Sequence, residues 1–348
     1  MKKISSSPKT VISSFRFAEI ADVIYSGVFL KSQLSSLNLK VDISEYVNDS
    51  EYFFVRSKNF KIKENDIIFC KTEYVRELFY LLKKQCKFKN IKLITHQSDL
   101  SIGRSLYMLK PSCISEWYSV NVDLKRKDLF PIPIGVANFH KKNLNETFFN
   151  SQNDILSFLK TKEKLLYVNF NPNTNFSHRK GLLELFKNKN WASVDENTLD
   201  HTQYSNNIMN HSFMLSPWGN GIDTHRFWEA LYSGTIPISK FHTTNETFTT
   251  IPKLLIKKYK SITKESLLNY IEDLKKNKNL YDLTELDFNY WKNLILKNQI
   301  NDVNKKEILI VNNLSWFRRS AADYKHKIKS KLKIVNRVRR YVYKKIKL

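Results

Sequence analysis

Hydrophobic and polar positions fall into a readable rhythm from about residue 64 onward. Asp66–Lys71 (DIIFCK) is an apolar run of strand length. Glu73–Gln85 (EYVRELFYLLKKQ) places apolar side chains at helical spacing, and Ile91–Thr95 is apolar again. Strand, helix and strand within about 30 residues make a βαβ unit. Trp117–Val120 and Ile132–Val136 are further strand candidates, the second bracketed by Pro131, Pro133 and Gly135. A polar stretch over 141–153 (KKNLNETFFNSQN) reads as a surface connection and the preferred domain boundary. Beyond it the pattern predicts strands at Leu165–Phe170, Phe213–Leu215, Ile236–Ser239 and Leu254–Ile256. It predicts helices at His178–Lys189, at Arg226–Ser233 ending at Gly234, and from a Thr263 cap through Lys275. Strands alternating with helices imply a mainly parallel sheet covered on both faces. The expected fold class is therefore α/β.

The 348 residues, 42 % of them apolar, are enough for a sizeable core and, at roughly 100–200 residues per domain, for about two domains. The expected division is an N-terminal α/β domain over 1–150, a second over 151–314 and a basic tail over 315–348. A formal charge of +25 predicts a polyanionic neighbour: nucleic acid, a nucleotide-bearing substrate or an anionic membrane. The tail alone has 13 Lys and Arg against one acid, Asp323, so about half the excess sits in one tenth of the chain. Cys70, Cys86 and Cys113 are odd in number and widely spaced, which fits neither a disulfide framework nor a zinc site, and suggests a reducing cytosol. Lys2 and Lys3 are followed by no apolar stretch of signal-peptide length, and no window approaches the ~18 apolar residues of a spanning helix.

The most informative segment is Phe213–Ile238 (FMLSPWGNGIDTHRFWEALYSGTIPI), which sets Gly219 and Gly221 in a loop between a strand and a helix. Glycines let backbone approach a ligand closely, and the free N–H groups at a helix N-terminus favour phosphate oxygens. Arg226 adds a planar charged fork suited to a diphosphate, and Glu229, at i+3, is placed to accept from a ribose diol. The same residues also admit a plainer account. The glycines would only turn the chain, Asp223 or Thr224 would cap the helix, and Arg226 and Glu229 would form an ion pair. The spacing is neither a Walker A loop nor Gly-x-Gly-x-x-Gly.

The string SPWGNGIDTHR (216–226), followed by Trp228-Glu229-Ala230-Leu231, Gly234 and Ile236-Pro237-Ile238, resembles the donor-site signature of exostosin-like (GT47-type) glycosyltransferases over about 25 residues. Thr235 stands where that family usually has a Cys. Leu165–Phe170 with His178-Arg179 is similar to the opening of the family's donor domain. Trp117-Tyr118, Asn121 and Pro131–Gly135 resemble the close of its acceptor half. The resemblance implies a GT-B-like arrangement of two Rossmann-like domains with an interdomain cleft. It also implies a site made of Arg179, Gly219, Asn220, Gly221, Asp223, Arg226 and Glu229, with Arg226 and Arg179 on the diphosphate and Glu229 on the ribose. There is no Asp-x-Asp of the metal-dependent GT-A kind, so no metal and no cofactor are expected.

Sugar transfer with inversion needs a base for the acceptor hydroxyl. Asp99 and His96, just past the strand Ile91–Thr95, are the candidates, against a helix cap for Asp99 and a loop role for His96. In the tail, Ile328, Leu332, Val335, Val338, Val342 and Ile346 recur at helical spacing among lysines and arginines, a pattern suited to an anionic leaflet or to docking on the protein itself. The expectation is thus a cytoplasmic, membrane-peripheral glycosyltransferase. It would use a nucleotide-sugar donor and a glycan or lipid-linked glycan acceptor on the inner face of the membrane, without a nucleic-acid partner. The rivals are a basic nucleic-acid-binding protein, whose signature motifs are absent, and an inactive glycosyltransferase-like binding module.

Overall fold

Two sheets carry the architecture. The structure, a computed structural model, describes residues 10–37, 41–48, 52–137, 155–160, 162–196, 199–297 and 306–312. The first sheet holds β1 (Val23–Leu30), β2 (Val41–Asn48), β3 (Tyr52–Lys63), β4 (Ile67–Lys71), β5 (Ile91–His96), β6 (Ile114–Ser119) and β7 (Leu129–Pro131). The second holds β8 (Lys164–Asn169), β9 (Ala192–Asp195), β10 (His211–Leu215), β11 (Ile236–Lys240) and β12 (Leu254–Ile256), and β13 (Glu307–Val311) then returns to pair with β3. β1, β4, β5, β6 and β7 run parallel in that order, while β3 is antiparallel to β1 and to β2. The second sheet is parallel throughout, in the order β12-β11-β10-β8-β9. Two Rossmann-like halves of this kind make a GT-B-like α/β fold. The described residues up to Ile310 belong to one compact unit.

Local chemistry explains most of these elements. β4 (IIFCK) is a nearly continuous apolar run, and every residue of β5 is buried, because both faces of a parallel sheet are covered. The helix Val75–Gln85 buries Val75, Leu78, Phe79, Leu81 and Leu82 and leaves its lysines outside. Thr263 caps the helix Lys264–Lys276 in a capping box with Ser266. A single buried cluster runs from Phe17 and Ile94 of the first half to Phe213 and Trp228 of the second, so the halves share a core. Tyr232 Oη accepts from Ile12 N (2.9 Å) and donates to Leu286 O (2.8 Å), and Lys92 Nζ donates to the carbonyls of Ile295 and Lys297 (2.6 Å each).

Two expected elements differ. Ile132–Val136 is not a strand; β7 stops at Pro131. Ile132 N still donates to Ser119 O of β6 (2.9 Å), but Pro131 and Pro133 supply no N–H and the next groups leave the sheet: Ile134 N donates to Asp223 (2.7 Å) and Gly135 O accepts from His225 (2.7 Å). The helix expected over His178–Lys189 is two short helices, Phe176–Arg179 and Leu182–Lys187, because Gly181 sits at φ +73° and starts the second afresh. The boundary expected over 141–153 and the basic tail over 315–348 lie outside the described residues. Among the described residues no helix is long and apolar enough to cross a membrane.

Candidate functional site

In the second sheet β10 lies beside β8, and β9 on β8's other side, so the connections leave β8 in opposite directions. That reversal is the topological switch point, the crevice where open α/β sheets bind ligands outside the carboxyl ends of their strands. A cleft of about 700 Å³ lies there. Asn169–Thr174 at the end of β8, Gly219–Gly221 and Asp223–Arg226 after β10, and Glu196, Leu199, His201 and Tyr204 after β9 form its walls. The first half closes it with Asp99 after β5 and with Ile134 and Ala137 after β7.

The glycine loop is held from both halves. Asn121 Oδ1 accepts from the backbone N–H groups of Ile222 (2.9 Å) and Asp223 (2.8 Å), while its Nδ2 donates to Ser98 O (3.0 Å). A Cβ on Gly221 would stand 2.9 Å from that Nδ2, which is why this position has no side chain. Asp223 accepts from Ile134 N and, with both carboxylate oxygens, from Trp228 Nε1 (2.9 and 3.0 Å). Burial pushes its carboxyl up to about 7 against these two donors and a third, the Thr224 backbone N–H, which pull the other way. Asp223 is therefore the bolt between the halves.

Arg179 underpins the loop. Buried to 4 % exposure, it donates from Nε to Trp218 O (2.8 Å), from Nη2 to Pro217 O (2.9 Å) and from Nη1 to Asn171 O (2.9 Å). Burial first, and the Arg226 charge second, push it down to about 10. Arg226 rises from the first turn of the helix His225–Tyr232 into the cleft, and its buried Nε has no hydrogen-bond partner. The Thr224 side chain makes no cap, and while the Phe227 N–H donates to Thr224 O (3.0 Å), the N–H groups of His225 and Arg226 are left for a ligand. Glu229, one turn on, is buried and accepts from Tyr204 Oη (2.8 Å) rather than pairing with Arg226. Gly219 and Asn220 also line the cleft.

The two base candidates separate. His96 is 1 % exposed and does not line the cleft. Its Nδ1 accepts from Gln97 N (2.8 Å) and its Nε2 donates to Pro133 O (3.2 Å), and burial pushes it down to about 3, so it is a neutral structural ring. Asp99 is exposed at the cleft. Of the four carboxylates lining it, Glu196 is paired with Lys187 and Asp223 and Glu229 are hydrogen-bonded; Asp99 alone has no partner among the described residues. Tyr204 carries no motif that sequence reasoning could have used; only its place in the helix His201–Met209 brings it to Glu229. Among the described residues no cluster of His, Cys, Asp and Glu has metal-site geometry.

No protein-family model matches the chain, and no curated protein matches it. The likeness of 213–238 to the exostosin-like signature therefore remains a local one. Among solved structures, the chain is similar to one described as "Crystal Structure of alpha1,3-Fucosyltransferase", with 15 % identity, coverage of 75 % of this chain and 78 % of that one, and a TM-score of 0.33. A likeness that slight carries nothing about this site, which rests on its own geometry.

Proposed function

We propose that the chain is a glycosyltransferase that seats a nucleoside-diphosphate sugar in this cleft and passes the sugar to a hydroxyl of a glycan or lipid-linked glycan. The observation that carries the reading is Arg226, a guanidinium with a buried, unpartnered Nε beside a second buried arginine, at a switch-point cleft and an uncapped helix N-terminus. Two like charges held together around free donors call for an anion of at least two charges, and a diphosphate matches the fork. Glu229, oriented by Tyr204, faces the position of a ribose diol. In an inverting transfer Asp99 takes the acceptor proton as the acceptor oxygen bonds the anomeric carbon. The bond to the diphosphate breaks, and its charge falls to Arg226 and the loop N–H groups. The local resemblance to exostosin-like enzymes supports the residue assignment, and the tail over 315–348 would hold the enzyme at an anionic leaflet.

The test separates binding from chemistry. In a panel of nucleoside diphosphates at least one raises the melting temperature, and Asp99→Asn keeps that protection while transfer of a radiolabelled sugar to a cell-envelope glycan extract falls by about 10²–10⁴-fold, the usual range for a general base. No protection by any nucleotide ends the donor reading. Undiminished transfer by Asp99→Asn removes that residue as the base.

A further inference from the structure

Beside the cleft, on the other flank of the glycine loop, lies a cluster that the donor site does not use. The indole of Trp218, one residue before Gly219, is faced by the rings of His178 (centroids 5.1 Å apart) and His242 (5.4 Å), and its buried Nε1 has no partner. His242 is itself fixed: Nε2 donates to Asp123 (2.8 Å) and Nδ1 accepts from Thr244 N (3.2 Å). Next to it Phe241 is 52 % exposed, with its backbone N–H on Ile256 O (2.9 Å). The pairing of Lys240 with Ile256 sets Lys257 alongside Phe241 at the carboxyl edge of the sheet. Lys240 Nζ lies 5.4 Å from the centroid of Tyr259, and Lys180 and Lys258 are exposed nearby in sequence. Among the described residues none of Lys180, Lys240, Lys257 and Lys258 has an ion-pair partner, although lysines elsewhere, such as Lys125 with Glu246 (2.9 Å), do.

We propose that Trp218, Lys240, Phe241 and Lys257 form an acceptor subsite for an acidic glycan, with a sugar ring on the aromatic faces and its carboxylate or phosphate on the lysines. The inference rests on the donor reading, since the patch and the cleft share one loop: Arg179 holds the carbonyls of Pro217 and Trp218 on one side while Gly219 lines the cleft on the other. An aromatic ring presents a negative face to the weakly positive C–H side of a sugar, and unpaired lysines add attraction for an anion. The exposed ring of Phe241 together with unpaired cations favours a charged sugar over a lipid headgroup, which would need only the lysines.

The experiment uses the full chain and three probes at low salt: trigalacturonate, glucose 1-phosphate and neutral maltotriose. Binding is followed by ligand-observed NMR, with nucleoside-diphosphate thermal protection measured in parallel. Both acidic probes are expected to bind at least about tenfold more tightly than maltotriose, with affinity falling as salt rises. Lys240→Ala/Lys257→Ala is expected to lose about tenfold toward the acidic probes, and Phe241→Ala to weaken them as well, while both keep wild-type nucleotide protection. Equal binding of acidic and neutral sugars, or undiminished binding by the double variant, overturns the proposal. So does retention only by phosphatidylglycerol-containing vesicles. Absent probe binding with intact nucleotide protection sinks the subsite alone, whereas absent nucleotide protection with intact probe binding sinks the donor reading alone.

Discussion

Replacing Arg226 by alanine separates a side chain that serves the fold from one that waits for a ligand. A structural arginine would lose hydrogen bonds on truncation, yet here the buried Nε has none to lose, and its charge opposes Arg179. The unliganded Arg226→Ala protein should therefore melt at the wild-type temperature or slightly above. Ligand affinity should move the other way. A hydrogen bond to a charged group is worth about 1.5–3 kcal/mol, so losing a two-pronged grip on a diphosphate costs at least about 3 kcal/mol, roughly a hundredfold in Kd. Arg226→Lys should recover only part of that loss, because an ammonium supplies the charge without the fork. Titration calorimetry with UDP, GDP, ADP, CDP and dTDP, beside urea denaturation of the unliganded proteins, measures both quantities. Wild-type diphosphate affinity in a folded Arg226→Ala protein refutes the argument. So does a loss of more than about 1 kcal/mol in the unliganded state, which would make the side chain structural.

Other consequences are equally specific. Gly221→Ala drives a methyl to within 2.9 Å of Asn121 Nδ2, so the loop must shift; nucleotide affinity should fall more than stability, and an unchanged Kd would show that the loop does not need that approach. Tyr204→Phe removes the donor to Glu229, so binding of a nucleoside diphosphate should weaken several-fold while binding of bare pyrophosphate holds; equal losses for both would place Glu229 away from the ribose. Asp223, with its folded value raised to about 7, contributes stability that is fully present below its unfolded value near 4 and is lost as pH rises through 7. Between pH 5 and 8 its share should decline by roughly 2–3 kcal/mol. His96 and His211, pushed down to about 3 and about 4 by burial, act in the opposite sense, so the difference in urea stability between wild type and Asp223→Asn isolates the carboxyl. A pH-independent difference would show that the three donors keep Asp223 ionised throughout.

Periodicity made the second half legible. Leu165–Phe170, Phe213–Leu215, Ile236–Ser239 and Leu254–Ile256 each fall within a residue or two of β8, β10, β11 and β12, because buried parallel strands must be apolar on both faces. The helix from His225 to Tyr232 and its stop before Gly234 were equally readable, since capping and glycine chemistry are local. Legibility failed where the partner of a segment is distant. β1 and β3, in the first 63 residues, bury consecutive residues on both faces, Val23–Gly27 and Val55–Ser57 with a charged Arg56 among them, so they carry no clean alternation. Ile132–Val136 has the composition of a strand, yet only Ile132 keeps a bond to β6, while Ile134 and Gly135 bond to Asp223 and His225, roughly ninety residues away. The site divides along the same line. Residue types and spacing pointed to the glycine loop, Arg226 and Glu229 as candidates, and the resemblance to exostosin-like enzymes added Arg179. Which arginine braces the loop and which stays free was beyond the sequence. So were the burial of His96 away from the cleft, the exposure of Asp99 to it and the meeting of Tyr204 with Glu229. Those roles depend on what each side chain touches across the fold, and such contacts exist only once the two sheets have packed together.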